Sequence, residues 1–251
     1  MHTLFQDEFY PATEALGFIR APAEDVAHAY ADWSSRLGFA TRTTKHVTDL
    51  RRTMPLLEPL THDPSRVIVA ATQNRDWSAV FTNSARGNDP TSAIAVLSRD
   101  LRTDGVKVVY TPDVREKSGV TLGRLGARIF FYTAYDAANE RSIAVPSRTL
   151  YLARQSGSRW LFEAKGEPLA FEDVEAYRRH RATERFTPEM LEQYCRALGL
   201  APFTDDFYTG PCFFLEESAS AATSASATTF RERQRRWQIT PGSPSEGGAD
   251  Q

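Results

Sequence analysis

The chain has 251 residues, 41% of them hydrophobic, and its 30 basic and 32 acidic side chains leave a net charge of −2. A chain of this length buries a substantial core, and the even charge balance argues against a nucleic-acid binder that works through overall charge. No apolar run approaches the roughly 18 residues of a membrane helix, and Met1 to Glu8 lack the basic flank and apolar core of a secretory signal. The expectation is a cytoplasmic protein without membrane contact.

Pro22 opens a helical pattern in which Val26, Tyr30, Trp33 and Leu37 recur at three- and four-residue spacing until Gly38 ends it. Thr48 to Leu60 is a weaker helical stretch, interrupted by Pro55 and Pro59. Val67 to Ala71 reads as a buried strand and Asp76 to Thr82 as its hairpin partner. The best-defined unit comes next. The strand ending at Thr82 passes through Asn83 to Asn88 into a helix capped by Asp89 and opened by Pro90, with Ile94, Leu97 and Leu101 on one stripe. Gly105 ends that helix before the strand Val106 to Tyr110. Strand, helix and strand at this spacing predict a right-handed crossover between two parallel strands.

From Ala127 to Lys165 the period changes to two, and three runs read as an antiparallel meander: Ile129 to Tyr132, Ser142 to Ala153, and Trp160 to Lys165. A helix lined by Phe171, Val174 and Tyr177 follows, with Glu172 and Asp173 in its first turn and arginines toward its end, as on an exposed helix. A second helix runs from Thr187-Pro188 to Gly199, lined by Leu191, Tyr194, Cys195 and Leu198, before a short strand at Cys212 to Leu215. The expected fold is α+β. It has a mixed, mainly antiparallel sheet of six or seven strands, one crossover and flanking helices, all within a single domain of residues 1–217. Residues 218–251 are expected to form a disordered tail, because the Ser/Ala/Thr run after Glu217 and the Pro/Gly/Ser stretch after Pro241 offer little apolar area to offset ordering. Between those stretches, Phe230 to Trp237 carries four arginines and one glutamate and reads as a solvated charge run.

Signatures of phosphate loops, nucleophile elbows, zinc proteases and calcium loops are missing from the sequence. The five histidines stand apart, and Cys195 and Cys212 fall on apolar faces without a CxxC, so neither a metal nor a cofactor is expected. One segment qualifies as a ligand site. Asn83, Arg86, Asn88 and Asp89 lie between a strand's carboxyl end and a helix's N-terminus, where free amides and the helix dipole favour an anion. Arg86 supplies a planar fork and Gly87 permits close approach, whereas the Asp89 carboxylate competes for the same amides.

Trp77-Ser78-Ala79-Val80-Phe81, Gly87-Asn88-Asp89, Trp160 to Glu163, Gly166 to Glu172, Tyr177, Leu198-Gly199 and Asp206-Phe207-Tyr208 together carry a resemblance. Over most of residues 1–217 the chain resembles a group of uncharacterised actinobacterial proteins with no established activity. The resemblance implies one intact domain and supplies no catalytic residues. On these grounds the expected function is a non-enzymatic binding or inhibitory module, immunity-type or regulatory, acting through contact with a protein partner. The alternative is a small-molecule- or nucleotide-binding enzyme that uses the loop after the strand 77–82.

Overall fold

The structure is a computed structural model that describes residues 2–61, 65–85, 87–114, 124–139, 145–155, 159–218 and 227–242. Nine strands occur among them: β1 (Ala15–Ile19), β2 (Thr41–His46), β3 (Arg66–Thr72), β4 (Ser78–Thr82), β5 (Gly105–Thr111), β6 (Ala127–Thr133), β7 (Arg148–Arg154), β8 (Trp160–Lys165) and β9 (Tyr208–Glu217). They form one sheet in the order β2-β9-β3-β4-β1-β5-β6-β7-β8, and every neighbouring pair is antiparallel.

This sheet corrects the expected mixed sheet of six or seven strands in both number and polarity. The crossover from β4 through α3 (Thr91–Asp100) to β5 does form, but its two strands never touch. β1 lies between them, with Gly17 opposite Val80 on one side and Lys107 on the other. β4 and β5 therefore run in the same direction while each pairs antiparallel with β1. The two strands without a sequence signal are β1 and β2. β1 is buried along its whole length, so it lacks alternation. β2, Thr-Arg-Thr-Thr-Lys-His, contains no apolar residue at all.

Alternation along the strands divides the core in two. On one face Ile19, Val67, Val69, Val80, Phe213 and Leu215 meet α1 (Ala23–Arg36) and α3 through Val26, Ala27, Tyr30, Ile94 and Leu97. A Cβ on Gly17 would fall 2.4 Å from Cβ of Pro90, so glycine is what lets the start of α3 rest directly on β1. The opposite face presents Leu16, Phe18, Ile68, Phe81, Val106, Val108, Phe130, Leu150 and Leu152. It is covered by the N-terminal segment through Leu4, Phe5 and Phe9, by α2 (Leu50–Thr53) and the 3-10 turn after it, and by α5 (Pro188–Ala197). The helix expected around Phe171 to Tyr177 is absent. That stretch is made of turns with a 3-10 turn at Ala176–Arg178, followed by the short α4 (Ala182–Arg185).

Of the stretch expected to lie beyond the domain, residues 219–226 and 243–251 fall outside the described residues. Residues 227–242 pack on the domain and extend the folded unit past Glu217. Thr228 exchanges two backbone hydrogen bonds with Leu60, at 2.7 and 3.0 Å. A capping box between Thr229 and Glu232 then starts α6 (Phe230–Trp237). Phe230 is buried against Phe9, with ring centroids 5.5 Å apart, and its amide donates to Glu58 Oε1 at 2.6 Å. Gln234 Nε2 donates to the carbonyls of Asp7 and Glu8. The pattern Phe230/Gln234 is a helical i, i+4 pair hidden inside a run of charge, which is why composition concealed it. Phe230→Ala should destabilise the protein by about 3 kcal/mol, as loss of a buried aromatic does. Urea unfolding of the two proteins measures the difference; a change below a few tenths would show that α6 adds nothing to the fold.

Candidate functional site

The loop joining β4 to α3 holds the residues singled out from sequence, and the structure turns three of them toward the chain itself. Asn83 is buried; its Oδ1 accepts from the Arg66 amide at 2.8 Å and its Nδ2 donates to the Pro59 carbonyl at 3.2 Å. Asn88, also buried, donates through Nδ2 to the carbonyls of Ala15 (2.6 Å) and Val80 (3.3 Å) and accepts from Thr82 Oγ1 at 2.9 Å. Both amides fasten the loop to the sheet. The Asp89 side chain is 72% exposed, accepts from the Thr91 amide and hydroxyl at 3.2 and 2.6 Å, and meets Lys107 Nζ at 2.8 Å. Burial opposes its ionisation, but the bonds from Lys107 and Thr91 outweigh that and hold its carboxyl below the usual range. Gly87 takes a φ of 109°, the left-handed turn expected of it. Arg86 lies outside the described residues.

Next to this loop stands a cluster that no local pattern in the sequence announces. Arg124 Nη1 donates to Asp7 Oδ2 at 2.7 Å, and its guanidinium lies 4.9 Å from the centre of the Tyr10 ring. Its Nε is buried and has no hydrogen-bond partner among the described residues. Glu14, on the approach to β1, accepts from Thr111 Oγ1 at the end of β5 (3.2 Å). The loop leans on the same place, for the Asn88 amide donates to the Pro11 carbonyl at 3.4 Å. Burial raises the Glu14 carboxyl above its ordinary value of 4.5, and the nearby Arg124 and the Thr111 bond only partly oppose it. Asp7 and Arg124 stand 117 positions apart in the chain, and that distance is why neither was legible as part of a site.

A second polar cluster is wholly internal. Arg148 at the start of β7 and Glu172 have side chains only 3% and 0% exposed and form a two-pronged pair, with Nε to Oε1 at 2.9 Å and Nη2 to Oε2 at 2.5 Å. Tyr177 donates to Glu172 Oε2 at 2.7 Å, the Leu169 amide donates to Oε1 at 3.0 Å, and Arg148 Nη1 donates to the carbonyls of Lys165 and Gly166. Every prong of the pair is satisfied, as a buried ion pair requires. Glu172 therefore cannot serve the exposed helix expected of it: its carboxylate is drawn inward, and the chain around it turns to follow. No acid–base role in solvent is open to it.

Of the two described cavities, the smaller touches the partners of Asp89, and neither is lined by Arg124, Glu14, Arg148 or Glu172. A crack of about 10 Å³ lies among Thr91, Ile94, Lys107, Phe131, Thr133 and Pro146. An open groove of about 350 Å³ is lined by Phe5, Gln6, Glu8, Arg51, Asp205, Pro241 and Gly242. The groove is wide enough for a small ligand but shallow, and its charges are already engaged, Arg51 with Glu8 and Asp205 with the Phe5 amide. Among the described residues no group of three or more His, Cys, Asp or Glu side chains is placed to hold a metal ion, and no helix is long and apolar enough to cross a membrane.

β2 forms the margin of the sheet and pairs on one side only among the described residues, with β9. The Ser218 amide donates to the Ala40 carbonyl at 2.8 Å. Backbone groups alternate along a strand, so Arg42, Thr44 and His46 face β9 and Thr41, Thr43 and Lys45 turn their N–H and C=O groups outward. Leu37 and Phe39 just before β2, and Val47 just after it, are exposed hydrophobic side chains, Val47 to 88%. No family model matches the chain, and no curated protein or solved structure matches it either.

Two outcomes follow from burial. The folded protein holds the Glu14 proton more tightly than the unfolded chain, so this contribution to stability is present at low pH and is lost as pH rises from 4.5 through the raised folded value. Urea titrations between pH 4 and 8 should show that loss in the wild type and a flatter profile in Glu14→Gln; matching profiles would remove the linkage. Burial also pushes the Cys195 thiol far up and the Cys212 thiol up to about 11, so native thiol labelling should be slow at both. Rapid labelling of either would overturn that assignment.

Proposed function

We propose that this protein is a non-enzymatic binding module of the cytoplasm that recognises a protein partner by adding one of the partner's extended segments to the free edge of β2. The observation that carries this reading is the outward-facing backbone of Thr41, Thr43 and Lys45, bordered by exposed Leu37, Phe39 and Val47. An open strand edge donates and accepts main-chain hydrogen bonds in register with any extended chain, and the flanking side chains decide which chain is accepted. Isolated exposed hydrophobic residues are ordinary, but three at the two ends of one edge strand supply an apolar contact at each end of a six-residue docking rail. Arg42 and Lys45 are already answered by Glu216 and Glu24, which lowers the repulsion a basic edge offers to an incoming strand.

A second reading, a small-molecule- or nucleotide-binding enzyme working at the loop after β4, is favoured by one observation, the Asp7–Arg124 pair and the Glu14–Thr111 contact that stand next to that loop. It is the weaker of the two, because the loop's two asparagines are engaged with backbone and the cavity beside Asp89, lined by Thr91 and Lys107, holds only about 10 Å³.

Thr43→Pro removes one outward N–H at a position where an edge strand tolerates proline, and Val47→Asp spoils the apolar flank without touching the backbone. Immobilised wild-type and variant proteins are compared for what they retain from lysate, with amide hydrogen exchange mapping the contact. The expected result is a partner retained about tenfold more by the wild type than by either variant, with slowed exchange at Thr41, Thr43 and Lys45. If Thr43→Pro lowers the melting temperature, Val47→Asp decides. A partner that binds both variants normally, or that protects another surface, defeats the proposal.

A further inference from the structure

We infer that α6 is a second docking surface, one that receives an acidic segment of a protein through Arg231, Arg235 and Arg236. Most of the described arginines elsewhere in the chain sit in ion pairs with carboxylates, among them Arg20, Arg66, Arg124, Arg148, Arg154 and Arg196. The three on α6 are exposed and form no ion pair among the described residues. Of the acids where α6 meets the domain, Glu8 pairs with Arg51 and Asp7 with Arg124, while Glu58 accepts from the Phe230 amide. Glu232, on the same outward side, feels the charge of Arg235 but folds back to accept from the Thr229 amide at 2.7 Å within the capping box.

The helix is also held rigidly. Phe230 and Gln234 fix its inner side, and Arg233 is turned to Thr228 Oγ1 at 3.1 Å. Arg231 and Arg235 are one helical turn apart on the same side, a spacing of about 6 Å along the axis. Two planar forks at that spacing suit carboxylates on successive same-side residues of an acidic segment. A lipid surface is the poorer match, because the apolar side of α6 is already committed to the core and cannot insert. Duplex nucleic acid is poorer too: a rigid polyanion would meet the whole of a protein whose net charge is −2, whereas a short acidic segment meets only the strip. This surface does not depend on the β2 edge.

The test uses the full chain and a fluorescein-labelled octaglutamate peptide, followed by anisotropy at low salt. Arg231→Gln, Arg235→Gln and Arg236→Gln combined should weaken binding about tenfold or more, whereas lysine at the same three positions should keep it within about threefold. Binding should vanish as salt is raised to 0.5 M, and thermal melts of both triple variants should match the wild type. Equal peptide binding by the glutamine variant overturns the inference. So does tighter binding of a 20-base-pair duplex, or of phosphatidylserine vesicles, than of the peptide. Should the glutamine variant melt early, the comparison of wild type with the lysine variant and the duplex and vesicle arms still decide.

Discussion

The architecture depends on one constraint: β1 pairs on both of its sides. Five residues, Ala15 to Ile19, join the sheet half that runs out to β2 to the half that runs out to β8, because among the described residues β4 bonds only to β1 and β3 while β5 bonds only to β1 and β6. Burial of all five residues follows from that position. β4 and β5 run in the same direction, and β1 opposes both. The same insertion fixes the candidate cluster. Glu14 precedes β1 and Thr111 ends β5, so their contact is the end of a strand ladder continued by side chains.

A second constraint acts at the far end of the sheet. Arg148 and Glu172 are worth little as a net gain in stability, since taking both charges from water costs about what their attraction returns. What they do is select a path. With Glu172 buried, the chain from Gly166 to Arg178 must lie against β7 and cannot unwind outward into the amphipathic helix its spacing suggests. Tyr177 and Tyr194 extend the network to α5, their hydroxyls 3.2 Å apart, so that helix is tied to the same point.

What could be read in advance is what repeats locally. The alternation of Trp160, Phe162 and Ala164, the stripe of Ile94 and Leu97, and the 3–4 spacing of Val26 and Tyr30 all match elements that form. The failures share a different cause. β2 is a strand because β9 offers it a ladder, and nothing apolar marks it. α6 is ordered by two inward residues among charges. Glu172 breaks an expected helix because of a partner on another strand. At the candidate site the loop itself was legible, as strand, turn and cap. The use of its asparagines was not, because Pro59, Ala15 and Val80 come beneath them only once the sheet exists.

The place of β9 has a consequence for synthesis. β9 lies between β2 and β3, yet it is made long after both. While a nascent chain lacks Tyr208 to Glu217, β3 has one bare edge and β2 has no ladder at all, and Phe213 and Phe214 are not there to cover either face beside them. At ordinary elongation rates of 5–20 residues per second, that gap lasts roughly ten seconds. During it, the growing polypeptide offers the bare edge of an apolar strand, Arg66 to Thr72, to whatever is at the ribosome exit. The strand order thus delays the covering of one edge of β3 until Tyr208 to Glu217 are made, and in the finished sheet β9 hides that edge.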